Sequence, residues 1–318
     1  MKNLKLVFLI LAVCAPGLRA EEIKRGSQFE RLETEINIKY WMPFTGGLDK
    51  TVAYLDNNSN QSVDHGDQRL YLDMSGAGGF IAEAATGSTK LKIYYASSKA
   101  RRNANAAEKI IPVDFDAWNW HLNGSESTVT ARGDMSVIYA ALQEELVIIR
   151  KNNTTLSFLP GLDIFNYDSN KNWTYTDPSG HTLKIDNSTK ASMTGPSASL
   201  YYRRDNIIFP KLSFTGQTGL SLLAGNLKAA RKETSNPVDA SLMDAGENNF
   251  SMLPVFSMSM ELDYPVSESF NINLGFASLV FSQLETNLAN VDDTSWHIQS
   301  QKQDVALGGL TLGASYRF

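Results

Sequence analysis

The sequence predicts an all-β chain folded as an antiparallel up-and-down transmembrane β-barrel of about ten strands, with twelve as the alternative. Three observations predict it. Apolar and polar residues alternate with a period of two over long stretches, most clearly from Arg31 to Phe44 and from Asp304 to Phe318. Minimal turns and long polar loops rich in Asn, Asp and Ser join these stretches by turns, as in a barrel with one short-turned and one long-looped end. Past the N-terminal leader, no stretch approaches a transmembrane helix, and mean hydropathy is slightly negative. A membrane chain without such helices has one solution, a closed barrel, whose alternating strands average out as polar.

Residues 1–20 read as a cleaved signal peptide: Lys2 and Lys5 form a basic start, Leu6 to Ala15 a short apolar run, and Ala20 a small residue at the cut. Cys14 within Leu11-Ala12-Val13-Cys14 offers a lipoprotein box, which the bulky Val13 disfavours. Residues 21–318 then form one barrel domain. Cys14 is the single cysteine, so the mature chain has no disulfide or thiolate chemistry. Losing Lys2, Lys5 and Arg19 leaves 26 basic residues against 34 acidic, a net charge of −8. That balance excludes a nucleic-acid partner, which wants a basic surface.

The first strand, from Arg31, sets Leu32, Thr34, Ile36, Ile38, Tyr40, Met42 and Phe44 against Glu33, Glu35, Asn37, Lys39 and Trp41. The second (Gln68 to Ala84) places Leu70, Leu72, Met74, Phe80 and Ala82 outward, with Asp73, Ser75 and Glu83 opposite. A Thr86-Gly87-Ser88 turn leads into Lys90 to Ser97, which carries Lys92 inward. Met135 to Arg150 and Thr154 to Tyr167 follow, joined by Lys151-Asn152-Asn153. The continuous apolar run Leu146 to Ile149 marks either a bulge or a packed interior. Alternation returns in Ala191 to Arg203, Pro210 to Gly225 (with Lys211 inward), Phe250 to Tyr264 (with Glu261 and Asp263 inward), Phe270 to Val280, and the closing strand with Arg317 inward.

Five long loops are expected between these strands, at residues 45–67, 98–131, 168–190, 226–249 and 283–303. Ile110 to Trp120 reads as a loop strand or a plug, and Trp173 to Ile185 as a hairpin turning at Asp177-Pro178-Ser179-Gly180. Either would raise the count to twelve. The strands exceed the roughly 9 to 11 residues a bilayer needs, so the barrel is expected to project outward. A two-layer soluble sandwich also alternates, but it rarely combines long loops on one side with minimal turns on the other.

The chain ends on Phe318 with Tyr316 two residues before, an ending that resembles the closing strand of bacterial outer-membrane barrels. In those proteins the terminal aromatic belongs to the signal read by the insertion machinery. Three further stretches carry a closer resemblance: Gly195-Pro196-Ser197-Ala198, Gly219-Leu220-Ser221-Leu222-Leu223-Ala224-Gly225, and Leu307 to Phe318. Together they resemble the Legionella-type major outer membrane protein family and its pore-forming relatives, over the C-terminal half in detail and the N-terminal half in layout. Ser199 departs from that pattern, where a further glycine is expected. The resemblance implies location in the outer membrane of a Gram-negative bacterium, porin-type activity without a cofactor, contact with outer-membrane lipid and lipopolysaccharide, and scope for a homo-oligomer.

Passive permeation needs only a polar lumen, for which the inward candidates are Glu33, Glu35, Lys39, Asp73, Lys92, Lys211, Glu261, Asp263 and Arg317. Barrels of about eight strands are filled by side chains and open channels come at roughly sixteen, so ten strands leave a narrow pore at most. A surface adhesin or structural barrel without transport is the alternative. An enzyme is not expected. Outer-membrane proteases carry an Asp-x-His element near the rim, yet none of His65, His121, His181 and His297 follows an aspartate by two residues, and all four fall in loops. Asp56, Asn58 and Asn60 begin a calcium-loop pattern, but Gln61 replaces its glycine and no terminal glutamate follows, so they are weak metal candidates.

Overall fold

The computed structural model describes residues 34–46, 50–56, 68–106, 109–112, 127–208, 211–236, 240–290 and 298–318. The strands there are β1 (Thr34–Gly46), β2 (Lys50–Asp56), β3 (Gln68–Leu72), β4 (Ala77–Thr86), β5 (Thr89–Ala106), β6 (Lys109–Pro112) and β7 (Ser127–Glu144). They continue with β8 (Leu146–Lys151), β9 (Thr154–Thr176), β10 (Thr182–Arg204), β11 (Ser213–Asn236), β12 (Ala240–Pro265), β13 (Phe270–Asn290) and β14 (Ile298–Arg317).

Ten of them close a ring in the order β1-β4-β5-β7-β9-β10-β11-β12-β13-β14, every pairing antiparallel, with β14 returning to β1. The barrel is the up-and-down one expected, with ten strands in its wall. β8 continues β7 past a break at Glu145 and pairs with the foot of β9 through a register shift between Val147 and Ile149. The apolar run at Leu146–Ile149 is therefore a bulged strand end. All four side chains are about half exposed, which rules out the packed interior.

The hydrophobic pattern decides which way each strand faces. On β1, Ile38, Tyr40 and Phe44 point out and are 58–70% exposed, while Lys39 and Trp41 point in and are at most 3% exposed. The same apolar belt continues on β9 (Leu162, Ile164), β11 (Leu220, Leu222), β13 (Ile272, Leu274) and β14 (Leu310, Leu312). Short turns close the foot of the barrel, with left-handed backbone at Gly87 and Asn152, where a glycine or asparagine is readily accommodated.

Above the belt the chemistry reverses while the alternation stays in step. On β9, odd-numbered residues face inward throughout, but Trp173 and Tyr175 there are apolar and buried, and Asn172 and Thr174 face water. On β11, Leu227 and Ala229 turn inward and Lys228 faces out. The upper barrel is thus built like a soluble protein, with its own apolar core of Val129, Trp173, Tyr175, Leu183, Ile185 and Leu227.

This crown corrects the expected loops. The stretch 168–190 is the continuous top of β9 and β10, turning tightly between Thr176 and Thr182, with Asp177 N donating to His181 O at 3.0 Å. Likewise β11 runs to Asn236, β12 starts at Ala240, β13 runs to Asn290 and β5 to Ala106. Trp173 to Ile185 therefore lengthens two wall strands and adds none. β6, in the stretch singled out as a loop strand, pairs with β2 in a separate three-stranded sheet ordered β3-β2-β6.

The second expected strand is also broken. Only β4, from Ala77, joins the wall, while residues 68–72 belong to the separate sheet as β3, and Leu72 and Met74, expected on the outer face, are buried inside. Thr45 Oγ1 donates to Met74 O, and Ser98 Oγ donates to Met74 O at 3.2 Å and Gly76 O at 2.7 Å. Met74 lies against Gly133 of β7, where a Cβ would come within 2.7 Å of its sulfur.

Candidate functional site: the lumen

At belt height the inner wall carries a network that reaches across the barrel. Lys39 of β1 donates to Glu83 of β4 at 2.8 Å and also pairs with Glu261 of β12. Lys92 of β5 donates to Glu83 at 2.9 Å and to Ser259 of β12 at 3.2 Å. Asn37 Nδ2 donates to Glu83 at 3.2 Å and to Glu261 at 3.4 Å, and Asn273 of β13 donates to Asn37 Oδ1 at 3.0 Å. β5 and β12 stand five places apart in either direction round the ring, so the Lys92–Ser259 contact crosses the full lumen.

Glycines make the crossing possible. Between β1 and β12 lie β14 and β13, which carry Gly313 and Gly275 inward on the way. A Cβ on Gly313 would fall 2.6 Å from Lys39 Cγ and 2.7 Å from Asn273 Oδ1. The bare backbone is what lets Lys39 lean over toward Glu261. A similar exchange explains Ser199 on β10. Its hydroxyl accepts from Gln143 Nε2 at 2.9 Å, and a Cβ on neighbouring Gly219 would come within 2.3 Å of it.

Directly above, aromatic rings cross the lumen. Tyr139 of β7 lies 6.2 Å from Phe281 of β13, another pair of strands five places apart, and Phe281 stacks on Phe165 at 4.6 Å. Trp41 and Tyr94 continue the layer at 5.7 Å. The fully buried Asp163 anchors it, accepting from Ser197 Oγ at 2.7 Å and from Tyr139 and Ser221. Leu72, Met74 and the crown core lie beyond.

The sequence model of the Legionella pneumophila major outer membrane protein precursor matches residues 43–318. The chain belongs to this family. It is an outer-membrane β-barrel protein. No curated protein matches the chain. Among solved structures, the outer membrane protease OmpT from Escherichia coli aligns at 11% identity, covering 93% of this chain and 99% of that one, with a TM-score of 0.44. A major outer membrane protein from Thermus thermophilus aligns at 12% identity over 90% and 99%, with a TM-score of 0.31. A Pseudomonas aeruginosa FadL homologue aligns at 9% over 90% of each chain, with a TM-score of 0.23. The barrel assignment rests on the strand pairing and the family match rather than on these distant alignments.

In this member of the major outer membrane protein family, Lys39, Lys92 and Glu261 meet in the transverse network. Asp263 lies two residues from Glu261 on the same inward row, half-buried. Glu35 and Arg317 pair at 3.3 Å at the foot, between β1 and β14. Two candidates do not reach the lumen. Asp73 is exposed between β3 and β4, and its Oδ1 accepts from Ser75 N at 2.8 Å. Lys211 precedes β11 with a left-handed φ of 81°, exposed, its N donating to Asn206 Oδ1 at 2.7 Å. Glu33 lies outside the described residues, as do Asn58, Asn60 and the side chain of Asp56.

Asn37 and Glu83 already stood on the polar face of their strands; Glu83 lies directly opposite Lys92 across the β4–β5 hairpin, whereas the Asn37–Glu261 contact depends on ring closure. Asp163 and Tyr139 lie on inward positions too, where nothing in the local sequence marks their meeting. At the C-terminus, Tyr316 and Phe318 are exposed on the barrel exterior with rings 4.8 Å apart, and Phe318 N donates to Thr34 O at 2.9 Å.

Proposed function

We propose that this outer-membrane barrel is a narrow porin for ions or small solutes, held closed in this conformation by its transverse network and aromatic layer. The observation that carries the reading is the chemistry of the lumen at belt height. Burying ion pairs is a weak way to stabilise a protein, since well-packed apolar residues serve as well or better. A barrel that only needed a filled interior would gain nothing from Lys39, Lys92, Glu83 and Glu261. Two buried atoms of this region, Trp41 Nε1 and Asn273 Oδ1, have no hydrogen-bond partner in the described protein. Buried groups of this kind are normally satisfied, and water is the partner a wetted lumen supplies.

The aromatic layer favours a second reading, a surface barrel without transport, because the rings of Tyr139, Phe165 and Phe281 meet across the lumen. Planar-bilayer recording of purified protein separates the two. The porin reading expects small discrete conductance steps from wild type, growing when Phe281→Ala opens the layer. Wild type that inserts and stays silent at every voltage overturns it, even where the variant conducts.

A further inference from the structure

We propose that Lys190 of β10 and Lys228 of β11 form a binding site, on the outer wall, for a phosphate of the glycolipid in the outer leaflet, the lipid A part of lipopolysaccharide. The proposal goes beyond the pore reading and does not depend on whether the barrel conducts.

The two lysines are direct cross-strand partners, and both side chains are exposed on the outer wall. Like charges set directly opposite destabilise a sheet, so this arrangement wants an anion between them. Lys190 faces Asp168 on its other side, with Nζ–Oδ2 at 3.4 Å, whereas Lys228 faces the neutral Asn248. One carboxylate against two ammonium groups leaves a net positive spot, on a chain whose overall charge is negative.

Height on the wall names the occupant. One outward step toward the foot, the cross-strand pair Ser192 and Asn226 marks the edge of the apolar belt, and Asn226 is in turn opposite Phe250. Below that edge lie the exposed Leu222, Leu220 and Met252, beside which acyl chains run. An aromatic residue at the edge and a paired cation one step above it place the ammonium groups at headgroup level. A phosphorylated sugar carrying acyl chains meets both surfaces at once, and a free phosphate would meet only the lysines.

The test uses the full-length barrel, refolded without lipid in detergent, with bound lipid counted by native mass spectrometry across a titration of bisphosphorylated lipid A. Wild type is expected to bind it at least tenfold tighter than the fully dephosphorylated lipid. The double variant Lys190→Gln/Lys228→Gln loses about tenfold, the scale of one charge-assisted hydrogen bond at a wetted surface. Lys190→Arg/Lys228→Arg retains binding, and Lys232→Gln, an exposed lysine opposite Asp186 farther up the wall, leaves it unchanged. Heat-modifiable gel migration verifies that each variant is folded. Equal binding of both lipids by wild type, unchanged binding by the double glutamine variant, or an equal loss in Lys232→Gln overturns the proposal. So does displacement of the lipid by millimolar inorganic phosphate, which would mark a free-phosphate site.

Discussion

Replacing Lys39 by methionine keeps the length of its side chain and removes its charge, which isolates the ionic part of the transverse network. The wild-type group of Lys39, Lys92, Glu83 and Glu261 balances two cations against two anions. After substitution Glu83 keeps Lys92 at 2.9 Å, but Glu261 loses its cation and is left with the Asn37 amide at 3.4 Å and the neighbouring carboxyl of Asp263. Removing one partner of a buried pair costs roughly 3–5 kcal/mol. The low end applies here, about 3 kcal/mol, because Glu83 keeps 25% of its side chain accessible and Glu261 keeps 11%. Adding Glu261→Gln removes the stranded charge and leaves the Glu83–Lys92 pair intact, so the double variant is expected to lie within about 1 kcal/mol of wild type. The resulting coupling energy, about 2 kcal/mol or more, lies within the range seen for residues in contact. Equilibrium urea unfolding in lipid vesicles at neutral pH measures it, followed through the fluorescence of the five tryptophans. A Lys39→Met loss under about 1 kcal/mol, or additive single and double losses, would refute the claim that Lys39 and Glu261 form a coupled, buried pair.

Gly309 of β14 sits so close to β1 that a Cβ would fall 1.9 Å from Met42 O, a backbone atom with no side-chain freedom to yield. Gly309→Ala is expected to cost about 1–3 kcal/mol and to reduce the heat-modifiable folded band on gels. In the crown, Ile185→Ala removes a side chain that is 2% exposed, and a loss of about 2–4 kcal/mol should appear as faster hydrogen exchange along β9 and β10. At the foot, burial works to raise the carboxyl of Asp205, but hydrogen bonds from Ser213 and Arg203 outweigh it and hold that carboxyl below its ordinary range. A depressed carboxylate contributes stability above its unfolded pKa, about 3.9, and loses it as pH falls through the folded value. The gap in urea midpoint between wild type and Asp205→Asn should therefore be present at pH 6 and shrink below about pH 4. Phe318→Ser removes the exposed terminal ring, and it should cut the amount inserted in cells while leaving refolding into vesicles near the wild-type yield.

The belt was legible because lipid imposes one rule along its height: outward side chains are mostly apolar, so the period-two signal in β1, β11 and β14 is strong. The crown was not legible by that rule. Above the membrane the outer face meets water and the inner face packs, so Asp168, Asn170 and Asn172 on β9 look like a polar loop although the strand runs straight through them. Keeping the alternation and letting its sign change would have carried β9 and β10 to their tight turn. Leu72 and Met74 escaped for another reason: they keep the apolar parity of an outward row, but the wall strand begins only at Ala77 and the residues before it fold inside. Lys211 likewise keeps the parity of the strand that follows, yet β11 begins at Ser213 and the lysine belongs to the turn.

The inward charges were legible one at a time, and Glu83 stands directly opposite Lys92 across the β4–β5 hairpin, but the Lys39–Glu261 pair and the Lys92–Ser259 contact join strands three and five places apart, a property of the closed ring. Once the ring is known, the interior has a gradient: charged at belt height, aromatic above it, and in the crown an apolar core that also encloses the Arg231–Glu233 ion pair. The gradient bears directly on the proposed pore. Exchanging an ion pair such as Lys39–Glu83 for hydrated ions changes free energy little, because the pair gains back the hydration it had lost. Separating Phe165 from Phe281 instead exposes hydrocarbon, at about 25 cal/mol for each Å². Within the pore reading, the charged storey therefore sets which ions pass, and the aromatic storey sets whether any pass. A substitution at Glu83 should shift ion preference with little change in how often the barrel opens, and one at Phe281 should do the reverse.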